Sequence, residues 1–113
     1  MSYEEWIDTD GSSYKEWRND ACKLHREDGP AEICYNANGS IRYQAFYLNG
    51  SISRKDGPAF IYHKLDSSIF HEAFYLDSQH LGDDKKGFWA LWQRLDEESR
   101  RNPNLLKYLA FFS

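Results

Sequence analysis

Two periods of hydrophobic and polar residues divide the chain. Over residues 32–76 the alternation has period two, in short runs separated by turn residues. Ile41, Tyr43, Ala45 and Tyr47 point one way, and Arg42, Phe46 and Leu48 the other. Later, Ile69, His71, Ala73 and Tyr75 oppose Phe70, Phe74 and Leu76. This is the pattern of strands, whose successive side chains take opposite faces. Asn38-Gly39 and Asn49-Gly50 are strong hairpin-turn pairs, and residues 41–48 read as the longest strand. Beyond Gly82 the period lengthens. Phe88, Trp89, Leu91, Trp92 and Leu95 fall at helical spacing, with Lys85, Lys86, Gln93, Arg94, Glu97 and Glu98 on the other side. An amphipathic helix over about residues 84–101 follows, capped by Asp83 or Asp84. Asn102-Pro103 opens a second helix bearing Leu105, Leu106, Tyr108, Leu109 and Phe112.

The strand region repeats itself. Leu24-His25-Arg26-Glu27-Asp28-Gly29-Pro30-Ala31 returns 28 residues later as Ile52-Ser53-Arg54-Lys55-Asp56-Gly57-Pro58-Ala59. At the same offset Gln44-Ala45-Phe46-Tyr47-Leu48-Asn49 returns as Glu72-Ala73-Phe74-Tyr75-Leu76-Asp77, and Asp10-Gly11-Ser12 precedes Asn38-Gly39-Ser40 as a worn first copy. Such a period defines a repeat architecture. The fold expected is α+β and mainly β: an antiparallel meander of β-hairpins over residues 10–81, capped by two C-terminal α-helices over residues 83–113, in a single domain of residues 1–113. In each copy the structural turn is Arg26, Asp28, Gly29 and Pro30, or Arg54, Asp56, Gly57 and Pro58. The turn is read as a hairpin tip with its glycine at positive φ and its arginine paired to carboxylates. Ser67 and Ser78 replace Gly39 and Gly50, which predicts looser or different turns in the second copy. Residues 1–8 leave strand and turn both open.

Composition narrows the function. A net charge of −4 on 113 residues supplies no basic patch of the kind duplex nucleic acid requires. No stretch of about 18 apolar residues is present, and Met1-Ser2-Tyr3-Glu4-Glu5 is acidic where a secretory signal is basic, so a cytoplasmic protein without membrane contact is expected. Cys22 and Cys34 lack metal-site spacing; they are expected on adjacent strands flanking the Asp28-Gly29 tip, as free thiols in a reducing compartment. Aromatics reach 17% of residues although the mean hydropathy is −0.81.

The chemistry-bearing residues point away from catalysis. His25, Arg26, Glu27 and Asp28 form a polar cluster, yet the second copy keeps the arginine and aspartate and replaces the histidine with Ser53, which is how a structural turn varies. His63 and His71 are expected across one hairpin, but no third metal ligand accompanies them, and His80 stands apart. No nucleophile elbow, phosphate loop or zinc-protease motif occurs, so neither an enzyme nor a cofactor is expected. The informative feature is that both strand faces are apolar. The helices are assigned to the face of Phe46, Phe74 and Leu48. Tyr43, Tyr47 and Tyr75, with Tyr35 and His71, are left for a protein partner; the alternative is that these tyrosines only stiffen the sheet.

The words Leu24 to Ala31 and Tyr47-Leu48-Asn49-Gly50 resemble the HRxDGPA repeat, a variant related to MORN repeats found in proteins of bacteria, bacteriophages and large viruses. The resemblance covers about residues 10–81. It implies a β-hairpin array used for interaction, and not the lipid binding credited to MORN proteins, because the recurrent Tyr-x-Gly words are missing. The combined reading is a non-enzymatic protein-binding module, monomeric or weakly dimeric. The resemblance extends it to a phage-encoded inhibitor that occludes a host defence or CRISPR nuclease complex. Two alternatives stand beside it: a sponge that holds a small anionic nucleotide on Arg26 and Arg54, and a passive structural repeat.

Overall fold

A computed structural model describes residues 2–112; Met1 and Ser113, the two ends of the expected domain, lie outside the described residues. Nine strands precede the helices: β1 Ser2–Ile7, β2 Ser13–Arg18, β3 Glu32–Tyr35, β4 Ile41–Ala45, β5 Tyr47–Leu48, β6 Ser51–Ile52, β7 Phe60–His63, β8 Ile69–Leu76 and β9 Gln79–Gly82. Seven form one antiparallel sheet in the order β1-β2-β3-β4-β7-β8-β9, and β5 and β6 pair separately as a small hairpin. The fold is therefore mainly β, a hairpin meander with two C-terminal helices. The strand-or-turn question for residues 1–8 resolves as strand: β1 pairs with β2 from Ser2↔Arg18 to Ile7↔Ser13.

The repeat is visible in the hydrogen bonds. The amides of Arg26 and Arg54 donate to Tyr47 O and Tyr75 O, and those of Gly50 and Ser78 to Leu24 O and Ile52 O. The expected run over residues 41–48 breaks at Phe46, whose amide bonds Ala59 O and whose carbonyl accepts from Ser53. The longest strand is instead β8, its counterpart in the second copy. Ser67 and Ser78 do not loosen their turns. They take φ of 72° and 67° where Gly39 and Gly50 have 89° and 83°, and the tip bonds Lys64 N–H to Ser68 O and Ser67 N–H to Lys64 O reproduce those of Asn36, Gly39 and Ser40. Side-chain and backbone hydrogen bonds therefore hold the turn geometry even where a Cβ makes it strained.

The Asp-Gly-Pro segments are not hairpin tips. The tips are residues 8–12, 36–40 and 64–68; Asp28-Gly29-Pro30 and Asp56-Gly57-Pro58 are corners that lead from one hairpin into the next strand of the main sheet. Neither Gly29 nor Gly57 has positive φ. The glycine is required because an arginine lies on it: a Cβ would come within 3.1 Å of the Arg26 guanidinium carbon at Gly29 and 2.9 Å of that of Arg54 at Gly57. Arg26 Nε donates to Asp28 Oδ1 at 3.0 Å and Nη1 to Pro30 O at 3.2 Å; Arg54 does the same with Asp56 and Pro58 at 3.0 and 3.1 Å. Each guanidinium also stacks on a ring of the preceding unit, Arg26 on Trp17 at 3.9 Å and Arg54 on Phe46 at 4.1 Å. His25 and Ser53, which differ chemically, do one job: His25 Nδ1 accepts from Asn49 N–H and Ser53 Oγ from Asp77 N–H.

The third unit ends differently. Phe74 occupies the place of Phe46, but Gly82 stands where the next arginine would be. The helices supply the cover instead. α1, Lys85–Arg94, has Asp84 as its N-cap, accepting from Gly87 N–H, and ends at Leu95 well short of the expected residue 101. A 3₁₀ turn, Ser99–Arg101, leads into α2, Pro103–Phe111, with Asn102 capping and Pro103 at its first turn. Phe88, Leu105, Tyr108 and Phe112 close over Phe74, Leu76 and Leu81 to form the core. The helices thus sit on the Phe74 end of their expected face only; Phe46 is covered by Arg54, and neither it nor Leu48 joins that core. Tyr108 reaches back to the second corner, where its hydroxyl contacts Arg54 O and Gly57 O. Burial pushes that phenol up to about 12, so it stays a donor.

Two stability outcomes follow. Tyr108→Phe leaves the buried corner carbonyls without their donor and is expected to cost about 1–3 kcal/mol in urea unfolding. Phe88, fully buried, is expected to cost about 3–5 kcal/mol as Phe88→Ala, and more than the half-buried Trp92 does as Trp92→Ala. The reverse ranking would place the core elsewhere.

Candidate protein-binding face

Residues directly opposite in a sheet share a face, so the register sorts the side chains. One line across the sheet runs Trp6, Tyr14, Cys34, Tyr43, Tyr62 and His71. The adjacent line on the same face runs Glu4, Glu16, Glu32, Ala45, Phe60 and Ala73. Phe74 and Leu76, which carry the helices, alternate with Ala73 and so belong to the other face. The face defined by the two lines is free of helix.

Its rings form two groups. Trp6 stacks on Tyr14 with centroids 5.2 Å apart. Tyr43 stacks on Phe60 at 5.5 Å, Phe60 on Tyr62 at 6.5 Å, and Tyr62 meets Phe70 edge-on at 6.1 Å. The row becomes more exposed toward the hairpin tip, with Tyr62 at 38% and Phe70 at 66%, beside exposed Leu65 and Ile69. In the first copy the positions of Leu65 and Phe70 are held by Ala37 and Arg42, and Arg42 is spent on Asn36 Oδ1 and Ser12 Oγ. The second tip therefore carries apolar groups that the repeat itself does not need.

The expected site residues separate. Tyr43 belongs to the open face by register and Tyr75 by alternation with Ala73, both partly buried, whereas Tyr47 is on the separate β5–β6 hairpin. Tyr43 is not free, since its hydroxyl donates to Glu32 Oε1 at 2.8 Å. His71 is exposed at the sheet's far end, where His71 and His80 approach Asp83 at 3.6 and 2.6 Å. Tyr35 is on the opposite face: it pairs with Ser13 and lies under Lys15 Nζ at 5.4 Å. A bulge between Cys34 and Tyr35, which skips Arg42, moves Ile41 to that side with it. His63 does not face His71; Tyr62 does, while His63 contacts Gln44 and Ser67 O. Cys34 is buried on β3, whereas Cys22 sits exposed in the turn after β2 with φ of 62°, so the two are not on adjacent strands. Phe60, Tyr62, Trp6 and Tyr14 complete the face. The alternation Ala59-Phe60-Ile61-Tyr62 carries their signal on β7, but only the register joins them to Tyr43.

Two arrangements bear on chemistry. Glu16 and Glu32 lie directly opposite, with Arg18 Nη2 on Glu16 Oε1 at 2.9 Å. Glu32 is raised to about 7 by burial first and then by Glu16, while burial pushes Glu16 upward and is outweighed by Glu32 and Arg18 together, which hold it below the usual range. Split carboxyl pKa values are the mark of an acid–base pair, but here Tyr43 already engages Glu32 and Arg18 engages Glu16. The second arrangement is a groove of about 740 Å³ lined by Arg26, Arg54, Lys55 and Lys107 together with Asp28 and Asp56. Both arginines there are already paired with their own aspartates, so an anion would have to displace them.

Among the described residues no helix is long and apolar enough to cross a membrane, and no cluster of three metal-ligating side chains occurs. Comparison with protein-family models, curated proteins and solved structures returned no match. One titration checks the geometry of the pair. The Tyr43 hydroxyl favours the ionised form of Glu32, so Tyr43→Phe is expected to move the Glu32 carboxyl midpoint above about 7 in a ¹³C NMR titration; an unmoved midpoint would show that the hydroxyl does not donate there.

Proposed function

We propose that this chain is a non-enzymatic protein-binding module and that the helix-free sheet face is its contact surface. One observation carries the reading: a continuous row of rings, partly buried at Tyr43 and Phe60 and exposed at Tyr62 and Phe70, lies on the face that carries no helix, while the helices pack on the Phe74 end of the other. Large rings bury much area at low entropic cost, and they dominate interface hot spots. The flat shape supports it, with extents of 49 × 35 × 19 Å, because it offers a partner a broad surface and no deep cleft. The resemblance to HRxDGPA repeats favours interaction over catalysis. With it, the reading extends to a phage-encoded inhibitor that occludes a host defence or CRISPR nuclease complex. The anionic-sponge alternative loses weight because Asp28 and Asp56 occupy the arginines it needs.

A photo-crosslinking residue at Tyr62 is expected to capture one discrete partner from host lysate, and the same residue at Glu72, on the opposite face, is expected to capture none. Phe60→Ala with Tyr62→Ala should abolish the capture with the fold intact. Equal capture from both positions, or capture that survives the double substitution, would overturn the assignment of the face.

A further inference from the structure

The carboxyl pair sits at a junction. The β2–β3 seam ties the N-terminal hairpin β1–β2 to the rest of the sheet through four register pairs, the last of which is Glu16↔Glu32. The next equivalent seam, β4–β7, ends in Ala45↔Phe60. The repeat therefore does not require carboxyls at this place. Ionised carboxylates are acceptors only, so two that face each other across a seam can bond directly only by sharing a proton. Glu16 is buried, at 9% exposure. Like charges directly opposite in a sheet destabilise the pairing, and in this position water screens them weakly.

We propose that the Glu16–Glu32 pair is a proton-controlled latch on the β2–β3 seam, closed while the two carboxyls share a proton and loosened when the proton leaves. It goes beyond the binding role and does not depend on it. The charged and titratable groups that face the pair are few. Glu4 on β1 is directly opposite Glu16 and adds negative charge. Arg18 on β2 is the neighbouring cation, and it is engaged with Glu16. Tyr43 on β4 donates to Glu32. Tyr47 on β5 lies near enough to both carboxyls for its phenol to be pushed up, by burial first and then by them. Cys34, two residues along β3, is a buried thiol raised mainly by burial. Among the described residues Arg18 is set against Glu4, Glu16 and Glu32, so the deprotonated seam carries net negative charge.

The sign follows from linkage. The folded seam holds its last proton to about pH 7, whereas an unfolded glutamate releases it near pH 4.3. Between those values the folded form binds more protons, so seam stability falls as pH rises through the window and levels off above it. Glu16, held low, acts in the opposite sense and only in acid.

Backbone amide exchange read by NMR tests this within one molecule. The Trp17 N–H donates to Ala31 O across the latched seam, and the Phe46 N–H donates to Ala59 O across the apolar one. After correction for intrinsic exchange, protection at Trp17 is expected to fall about tenfold from pH 5.5 to 8, while that at Phe46 stays level. Glu32→Gln, neutral at every pH, should remove the pH dependence at Trp17. Should that variant fail to fold, ¹³C titration of the unaltered protein decides the matter: a glutamate carboxyl with a midpoint near 7 supports the latch. All glutamates titrating below pH 5, equal loss at Trp17 and Phe46, or an unchanged pH dependence in Glu32→Gln would each overturn it.

Discussion

The architecture depends on an arginine laid flat between an aromatic ring and a glycine. Its guanidinium stacks on the ring of the preceding unit, donates to the aspartate two residues on and to the proline carbonyl four on, and covers a Cα that has no side chain. Each part has its own reason. The planar fork satisfies two acceptors at once and still offers a face to the ring, glycine gives the closeness, and proline fixes the corner. Stacks of this kind contribute about 0.5–2 kcal/mol, and here the stack also fixes the spacing between units. Four buried alanines, Ala31, Ala45, Ala59 and Ala73, mark the strands that meet beside these corners. A larger side chain at those places would hold the strands and corners apart.

The end of the array follows from the same contact. Where Gly82 removes the arginine, Phe74 would present a bare ring to water. Tyr108 and Phe112 take its place, edge-on to Phe74 at 5.8 and 4.9 Å, and the tyrosine hydroxyl then bonds the last corner. The helices are therefore a substitute for the missing next unit rather than a second layer over the sheet. That is why they cover so little of it, and why the face carrying Tyr43, Phe60 and Tyr62 stays open.

The sequence showed much of what is local. The 28-residue period, the tips at Asn38-Gly39 and Asp66-Ser67, and the Asn102-Pro103 helix start all rest on contacts within a few residues, so spacing reveals them. Whatever depends on partners distant in sequence was hidden. Gly29 and Gly57 looked like positive-φ glycines because the arginine above them cannot be seen in a string. His25 and Ser53 read as the ordinary variation of a structural turn, and only the structure shows what they share, each accepting from the same turn amide. Strand parity groups Ile41 with Tyr43, which a single bulge residue, Arg42, defeats, and Tyr35 faces away with Ile41. Glu16 and Glu32 are sixteen positions apart and carry no motif; their pairing is a fact of register alone.

A molecule built this way has one apolar surface that the helices pack on and another that carries no helix, and the proposed function rests on that difference. Hydroxyl-radical footprinting with the captured partner present and absent measures it most directly. Reduced labelling of Tyr62, Phe70 and Trp6 in the complex, with Tyr3 and Trp89 unchanged, is the result this account predicts; protection of Tyr3 or Trp89, with the open-face rings still labelled as in the free protein, would contradict it.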